Sequence, residues 1–142
     1  MPPERVVVHV DGGARGNPGP AGVGVVATDV GGRELARAND FLGVATNNAA
    51  EYRAVLLGLD VARALGAREV EIVNDSELVA RQLAGDYRVK SADLKPLYEA
   101  ARKRLEQFGR WSIRSVPRER NETADTLVNE AIDAGSATIG NR

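Results

Sequence analysis

The run Arg5-Val6-Val7-Val8-His9-Val10-Asp11 constrains the fold most strongly. Valines occupy both faces of an extended segment, so neither face is built for solvent. Such a strand belongs in the middle of a sheet that is covered on both sides. It ends on an acid and meets Gly12-Gly13-Ala14-Arg15-Gly16-Asn17-Pro18-Gly19-Pro20, a composition that reads as a turn.

The rest of the chain supplies partners for that strand. Ala21–Asp29 and Glu34–Leu42 read as two more strands, joined in a hairpin by Val30-Gly31-Gly32. A helix is predicted from Asn48 to Leu65, stopping at Gly66, with Ala54, Leu57, Gly58, Val61, Ala62 and Leu65 on its apolar face. Glu69–Asn74 is a strand, and Ser76–Ala84 a short helix ending at Gly85. Ser91–Phe108 holds a third helix, with Pro96 tolerated near its first turn. Trp111–Val116 is the fifth strand, and Asn121–Ala134 the last helix. An opening meander pairs antiparallel, while strands joined by helices pair parallel. The expected fold is therefore α/β, a five-stranded mixed sheet with helices on both faces. One domain is expected over residues 1–135, with residues 136–142 a flexible polar tail.

Composition narrows the function. A chain of 142 residues suits a single core. A net charge of −1 gives no basic field for gripping nucleic acid non-specifically. The absence of cysteine excludes disulfides, thiolate zinc sites and cysteine nucleophiles, and agrees with a cytoplasmic setting. The N-terminal residues lack the apolar stretch of a signal peptide, and no run approaches the ~20 apolar residues of a membrane helix. A monomer without membrane attachment is expected.

Four carboxylates stand at the ends of these elements: Asp11, Glu51, Asp75 and Asp125. Each has an ordinary explanation. Asp11 fits a turn, Asp75 a helix cap, Asp125 a first-turn acid facing the helix dipole, and Glu51 the far end of a capping box begun by Asn48. Glu51 resists this account best. It lies three residues before Ala54, on the face turned toward the core, with no lysine or arginine on that stripe. A buried carboxylate is costly unless it is paired or metal-bound. Asp11 and Asp75 also follow strands expected to run parallel in the sheet centre, and ligands bind beyond the carboxyl ends of such strands. Four acids in one pocket repel one another and call for a hard cation with oxygen ligands, Mg²⁺ or Mn²⁺.

The succession Asp11-Gly12-Gly13-x-x-Gly16-Asn17-Pro18-Gly19-Pro20-Ala21-Gly22, Thr46-Asn47-Asn48-x-x-Glu51, Asp75-Ser76 and Asn121-x-x-Ala124-Asp125 resembles type I ribonuclease H. The resemblance spans about Val6 to Gly135. It implies a ribonuclease H-like fold and metal-dependent endonucleolytic cleavage of the RNA strand of RNA–DNA hybrids. Two metal ions would leave 5′-phosphate and 3′-hydroxyl ends. Asp11, Glu51, Asp75 and Asp125 match the family's metal ligands. Asn17, Asn47 and Asn48 match positions that meet the minor groove and the RNA 2′-hydroxyl, the group separating RNA from DNA, and the glycine-rich run from Gly12 lets backbone approach the nucleic acid closely. Thr46 matches a position in the pocket for a DNA phosphate, with Ser91 where an asparagine is frequent.

The chain departs from the pattern in two places. Its one histidine, His9, lies inside a valine strand and reads as packed. The loop before the last helix carries Arg118 and Arg120 where many members have a mobile histidine, and Arg118 is assigned to that position. An arginine stays protonated, so it stabilises charge and does not shuttle protons. The basic helical protrusion of many bacterial members is missing, since Asp86–Asp93 is all that separates Gly85 from Leu94. Arg102, Lys103 and Arg104 read as a solvated face. Two other readings stand beside catalysis: a non-catalytic hybrid-binding module of the same fold, and a nucleotide-phosphate loop at Gly12–Gly19. The second lacks a Gly-Lys-Ser/Thr ending and begins with an acid.

Overall fold

In the computed structural model, residues 2–140 are described, with backbone alone over 136–140. The elements are β1 (Arg5–Ala14), β2 (Gly19–Thr28), β3 (Glu34–Ala45), α1 (Asn47–Ala64), β4 (Glu69–Asn74), α2 (Glu77–Ala84), α3 (Lys95–Leu105), β5 (Arg110–Ser115) and α4 (Glu122–Gly140). Their order matches the sequence expectation. The strands form one sheet in the order β3-β2-β1-β4-β5, which puts the valine strand at its centre. β1 and β3 flank β2 antiparallel, while β4 pairs parallel with both β1 and β5.

Alternation along β1 divides the two faces. Val6, Val8 and Val10 are wholly buried. Val8 and Val10 lie against α1 at Gly58, where an added Cβ would sit 2.6 Å from a Val10 methyl. Positions paired with Asp11 point the other way. There Gly24 of β2 lies beneath Ala124 and Leu127 of α4. The sheet is thus covered by α1 on one face and α4 on the other. The core between β1, β2, β4 and α1 gathers Val23, Val25, Ile72, Val55 and Leu59. Each such side chain contributes about 1.5–3 kcal/mol by leaving water.

Some sequence expectations need correction. The glycines after Asp11 are not a turn: β1 continues to Ala14 and pairs through Gly13 with Gly22 and through Ala14 with Ala21. Asp11 therefore lies inside its strand. It still lies beyond the parallel part, because β1 and β4 pair only as far as His9 and Val73. Local propensity marks glycine as a turn former, but here the missing side chains admit helices. The apolar face of α1 is also wider than expected: Ala54, Gly58 and Ala62 are buried as read from the sequence, and further residues join them. Tyr52, Val55 and Leu59 are fully buried, while Leu57, Val61 and Leu65 are only partly so. α3 packs against α1 from the side away from the sheet, so α1 is wedged between two layers. The Tyr52 hydroxyl, buried in that wedge, donates to Gln82 Oε1 at 2.5 Å.

Helix ends follow local chemistry. Thr46 caps α1 by accepting the Ala49 N–H, and Ser76 caps α2 by accepting the Val79 N–H. Asn48 is therefore not a cap, and Glu51 is not held in a capping box. α4 continues to Gly140, past the end expected at Ala134, since the segment contains no proline. The last residues of the expected flexible tail, Asn141 and Arg142, lie outside the described residues. No described helix is long and apolar enough to cross a membrane.

Candidate active site

Three elements bring three acids to one point. Asp11 stands on β1 beyond its parallel pairing, Asp75 follows β4 directly, and Glu51 lies in the second turn of α1. Carboxylate oxygens from these three lie within 4.8 Å of one another. Asp125, in the first turn of α4, joins the same open cleft of about 480 Å³.

Close backbone approach makes the convergence possible. A Cβ on Gly12 would fall 2.1 Å from the Ala50 carbonyl oxygen, so only glycine lets the start of α1 lie on β1 and deliver Glu51 to Asp11. Gly24 does the same for α4, since its Cβ would sit 2.4 Å from the Ala124 oxygen, beside Asp125. Asn121 completes the clamp. Its side-chain amide is buried and donates to the Val10 carbonyl at 2.8 Å, fixing the entry to α4 against the residue before Asp11. Neither Gly24 nor Asn121 stood out in the sequence as a positioning residue. The signal for Asn121 was its place in the Asn121–Asp125 run, while Gly24 carried none beyond being a glycine inside an apolar strand.

The acids disturb one another. Burial above all, then the charge of Asp75 and a hydrogen bond with Asp125, push the Asp11 carboxyl up to about 8. Burial, then the charges of Asp11 and Asp75, push Glu51 up to about 9, against an opposing hydrogen bond from the Gly12 N–H. Asp75 is also raised, by burial first, with Arg118 opposing. Glu51 Oε2 is buried and has no hydrogen-bond partner. A buried carboxylate oxygen with no hydrogen-bond donor, beside two further carboxylates, is stabilised by a cation, and oxygen-only donors suit a hard divalent ion. The residues present therefore fit a divalent metal centre.

Arg118, in a 3₁₀ turn over Arg118–Arg120, donates from Nη2 to Asp125 Oδ1 at 3.3 Å and lines the cleft. Arg120 faces a different hollow, beside His9 and Glu34. The hairpin tip between β1 and β2 is tied to α1 by two amides. Asn17 Oδ1 accepts the Asn47 N–H at 3.1 Å, and Asn47 Oδ1 accepts the Ala14 N–H at 2.9 Å. Because both oxygens face backbone donors, both NH₂ groups are left to donate outward. Gly12 and Asn47 line the cleft, and Asn48 is exposed on the first turn of α1. Thr46 is engaged as a cap, and the Ser91 hydroxyl accepts the Leu94 N–H at 3.4 Å. Ser91 does not line the cleft. The basic cluster on α3 serves the fold: Arg102 donates to the Leu83 carbonyl and stacks over Trp111, and Arg104 pairs with Asp60.

Fold and site define an α/β protein whose carboxylate centre is suited to a divalent cation. Comparison with known proteins narrows this. Residues 9–131 match the family model described as reverse transcriptase-like. The bifunctional protein of Mycobacterium tuberculosis is 48% identical over 93% of this chain. Ribonuclease HI of Halobacterium salinarum is 45% identical over 91%. The chain spans 36% of the length of the first and 65% of the second. The crystal structure of LC11-RNase H1 in complex with an RNA/DNA hybrid superposes with a TM-score of 0.88 at 41% identity, covering 92% of this chain and 98% of that one. The chain belongs to the ribonuclease H family, type I.

Proposed function

We propose that this chain is a metal-dependent endonuclease that hydrolyses the RNA strand of RNA–DNA hybrids, leaving 5′-phosphate and 3′-hydroxyl ends. The observation that carries the reading is the convergence of Asp11, Glu51 and Asp75 within 4.8 Å, with a buried, unpartnered Glu51 oxygen among them. Relatives named ribonuclease H support it, as does the similarity to a structure holding an RNA/DNA hybrid. Asp11, Glu51, Asp75 and Asp125 would hold Mg²⁺, or Mn²⁺ in its place, two ions with substrate bound. Such ions supply Lewis-acid activation of the attacking water and stabilise charge on the departing 3′ oxygen.

The protein's own groups do the positioning. Gly12, without a side chain, lets α1 seat against β1 at the cleft floor and so holds Glu51 where the sugar–phosphate backbone must pass. Asn17 and Asn47 hold their NH₂ groups outward, and these donate to 2′-hydroxyl and minor-groove acceptors, with Asn48 beside them. Thr46 and Ser91, outside the cleft itself, would take the part of the family's pocket for a DNA phosphate. Arg118 is tethered to Asp125 and already charged, so it stabilises developing charge on the leaving oxygen and moves no proton. All these groups come from one chain, which agrees with a monomeric enzyme.

The test is cleavage of an RNA–DNA hybrid by purified protein with Mg²⁺ or Mn²⁺, beside Asp75→Asn. Metal-dependent cutting of the RNA strand, lost in the variant with its fold intact, is expected. Hybrid binding without any cutting would instead make the chain a non-catalytic binding module.

A further inference from the structure

The active-site cleft has two guanidinium groups on its walls, and the reading above uses only Arg118. The other, Arg15, belongs to the hairpin tip between β1 and β2. Its backbone is fixed, since the Arg15 N–H donates to the Pro20 carbonyl at 2.8 Å. Its side chain crosses to α4, where Nη1 meets Asp133 Oδ1 at 2.6 Å and Nη2 donates to Asn129 Oδ1 at 3.2 Å. Asn129 in turn donates from Nδ2 to the Asp125 carbonyl at 3.1 Å. The guanidinium is thus held on the same helix as Asp125, between residues one and two turns further along. At 1.5 Å per residue this is about 6–12 Å from Asp125 along the α4 axis.

We infer that Arg15 forms a subsite for a phosphate of the RNA strand next to the one being cleaved. This deepens the proposed function and rests on it. Three observations carry it. A polyanion entering a cleft of four carboxylates needs positive charge along its path, and Arg15 supplies it beside Asn129 and Asp133, further along α4 than the Asp125 that holds Arg118. The guanidinium is pre-positioned by Asn129, yet it keeps donors unused by Asp133 and Asn129. The ion pair with Asp133 is solvent-exposed on both sides, with 47% and 66% of the side chains accessible. Exposed pairs of this kind are weak, so a phosphate can replace the Asp133 carboxylate at little cost. Asp133 then acts as a holder that keeps Arg15 extended across the cleft mouth while no substrate is bound.

The test is steady-state cleavage of an RNA–DNA hybrid at a series of KCl concentrations. It compares wild type, Arg15→Gln, Asp133→Asn and Arg33→Gln. Arg33 is an exposed arginine at the opposite end of the β2–β3 ladder and controls for loss of one positive charge. Loss of one phosphate contact should lower the slope of log KM against log salt by about 0.7–0.9 in Arg15→Gln. Its KM should rise several-fold at low salt, more than its kcat falls. Asp133→Asn, which removes the competing carboxylate, should lower KM. Arg33→Gln should keep the wild-type slope. An Arg15→Gln slope equal to that of wild type, or one matched by Arg33→Gln, would overturn the subsite. Wild-type protein that cuts no hybrid at any salt would instead overturn the proposed function.

Discussion

Asp11 and Glu51 hold their protons far above the ordinary carboxyl range, near 8 and 9 against ordinary values of 3.8 and 4.5. Across that window the folded, metal-free protein binds more protons than the unfolded chain. Its stability is therefore fully present at low pH and is lost as pH rises toward the folded values. We expect the melting temperature of the metal-free protein to fall between about pH 5 and about pH 9, and Asp11→Asn to flatten that fall. Thermal melts in chelator across this range check it, and a wild-type profile as flat as the variant's would refute it. A divalent ion should raise the wild-type melting temperature most at the alkaline end, where both acids have lost their protons. Arg118 makes a separate prediction. Arg118→Ala should slow turnover by about 10²-fold, the effect of removing one group that stabilises developing charge. The metal concentration giving half-maximal rate should move far less than turnover, because the guanidinium bonds one oxygen of Asp125 alone and leaves the Asp11, Glu51 and Asp75 cluster without a direct contact. An unchanged turnover number would return Arg118 to the role of a surface residue.

Elements, not single side chains, bring the acids together, and their contacts predict where the fold is least tolerant. Gly24→Ala forces a Cβ against the Ala124 carbonyl and should cost roughly 1–3 kcal/mol or more, with α4 and Asp125 displaced. Asn121→Ala leaves the Val10 carbonyl without its donor and should cost about 1–3 kcal/mol. Denaturant unfolding measures both, and activity should fall further than the lost stability accounts for, since each change moves Asp125 relative to Asp11. These contacts also mark the limit of what the sequence made legible. The order of elements, the central strand and the acids themselves were readable, because apolar periodicity and residue type are local properties. The clamp was not. Asn121 and Val10 lie 111 residues apart, and Arg15 and Asp133 lie 118 apart. Gly12 and Gly13 read as a turn because their role as strand residues exists only once a helix lies against the sheet. The buried face of α1 was read too narrowly for the same reason: Ala54, Gly58 and Ala62 are buried as expected, but Tyr52, Val55 and Leu59 are buried as well, since α3 also packs against this helix.

The whole molecule carries a net charge of −1 and concentrates acids where substrate must enter. Between α2 and α3 there is only the short segment Gly85–Leu94, with no basic helix to grip a duplex. Hybrid binding should therefore rest on few phosphate contacts. Its salt dependence should be shallow, well short of the log–log slopes of about −5 to −9 of proteins with 6–10 phosphate contacts. On the proposed function, discrimination between duplexes falls to the NH₂ groups of Asn17 and Asn47 and to the metal centre. The most direct measurement compares cleavage of RNA–DNA, RNA–RNA and DNA–DNA duplexes of one sequence, with and without Mg²⁺ or Mn²⁺, by wild type and Asp11→Asn. The account predicts metal-dependent cutting of the RNA strand in the hybrid, little in the other two duplexes, and a loss on the order of 10³-fold in folded Asp11→Asn. Near wild-type cleavage by folded Asp11→Asn, or cleavage that persists in chelator, would contradict it.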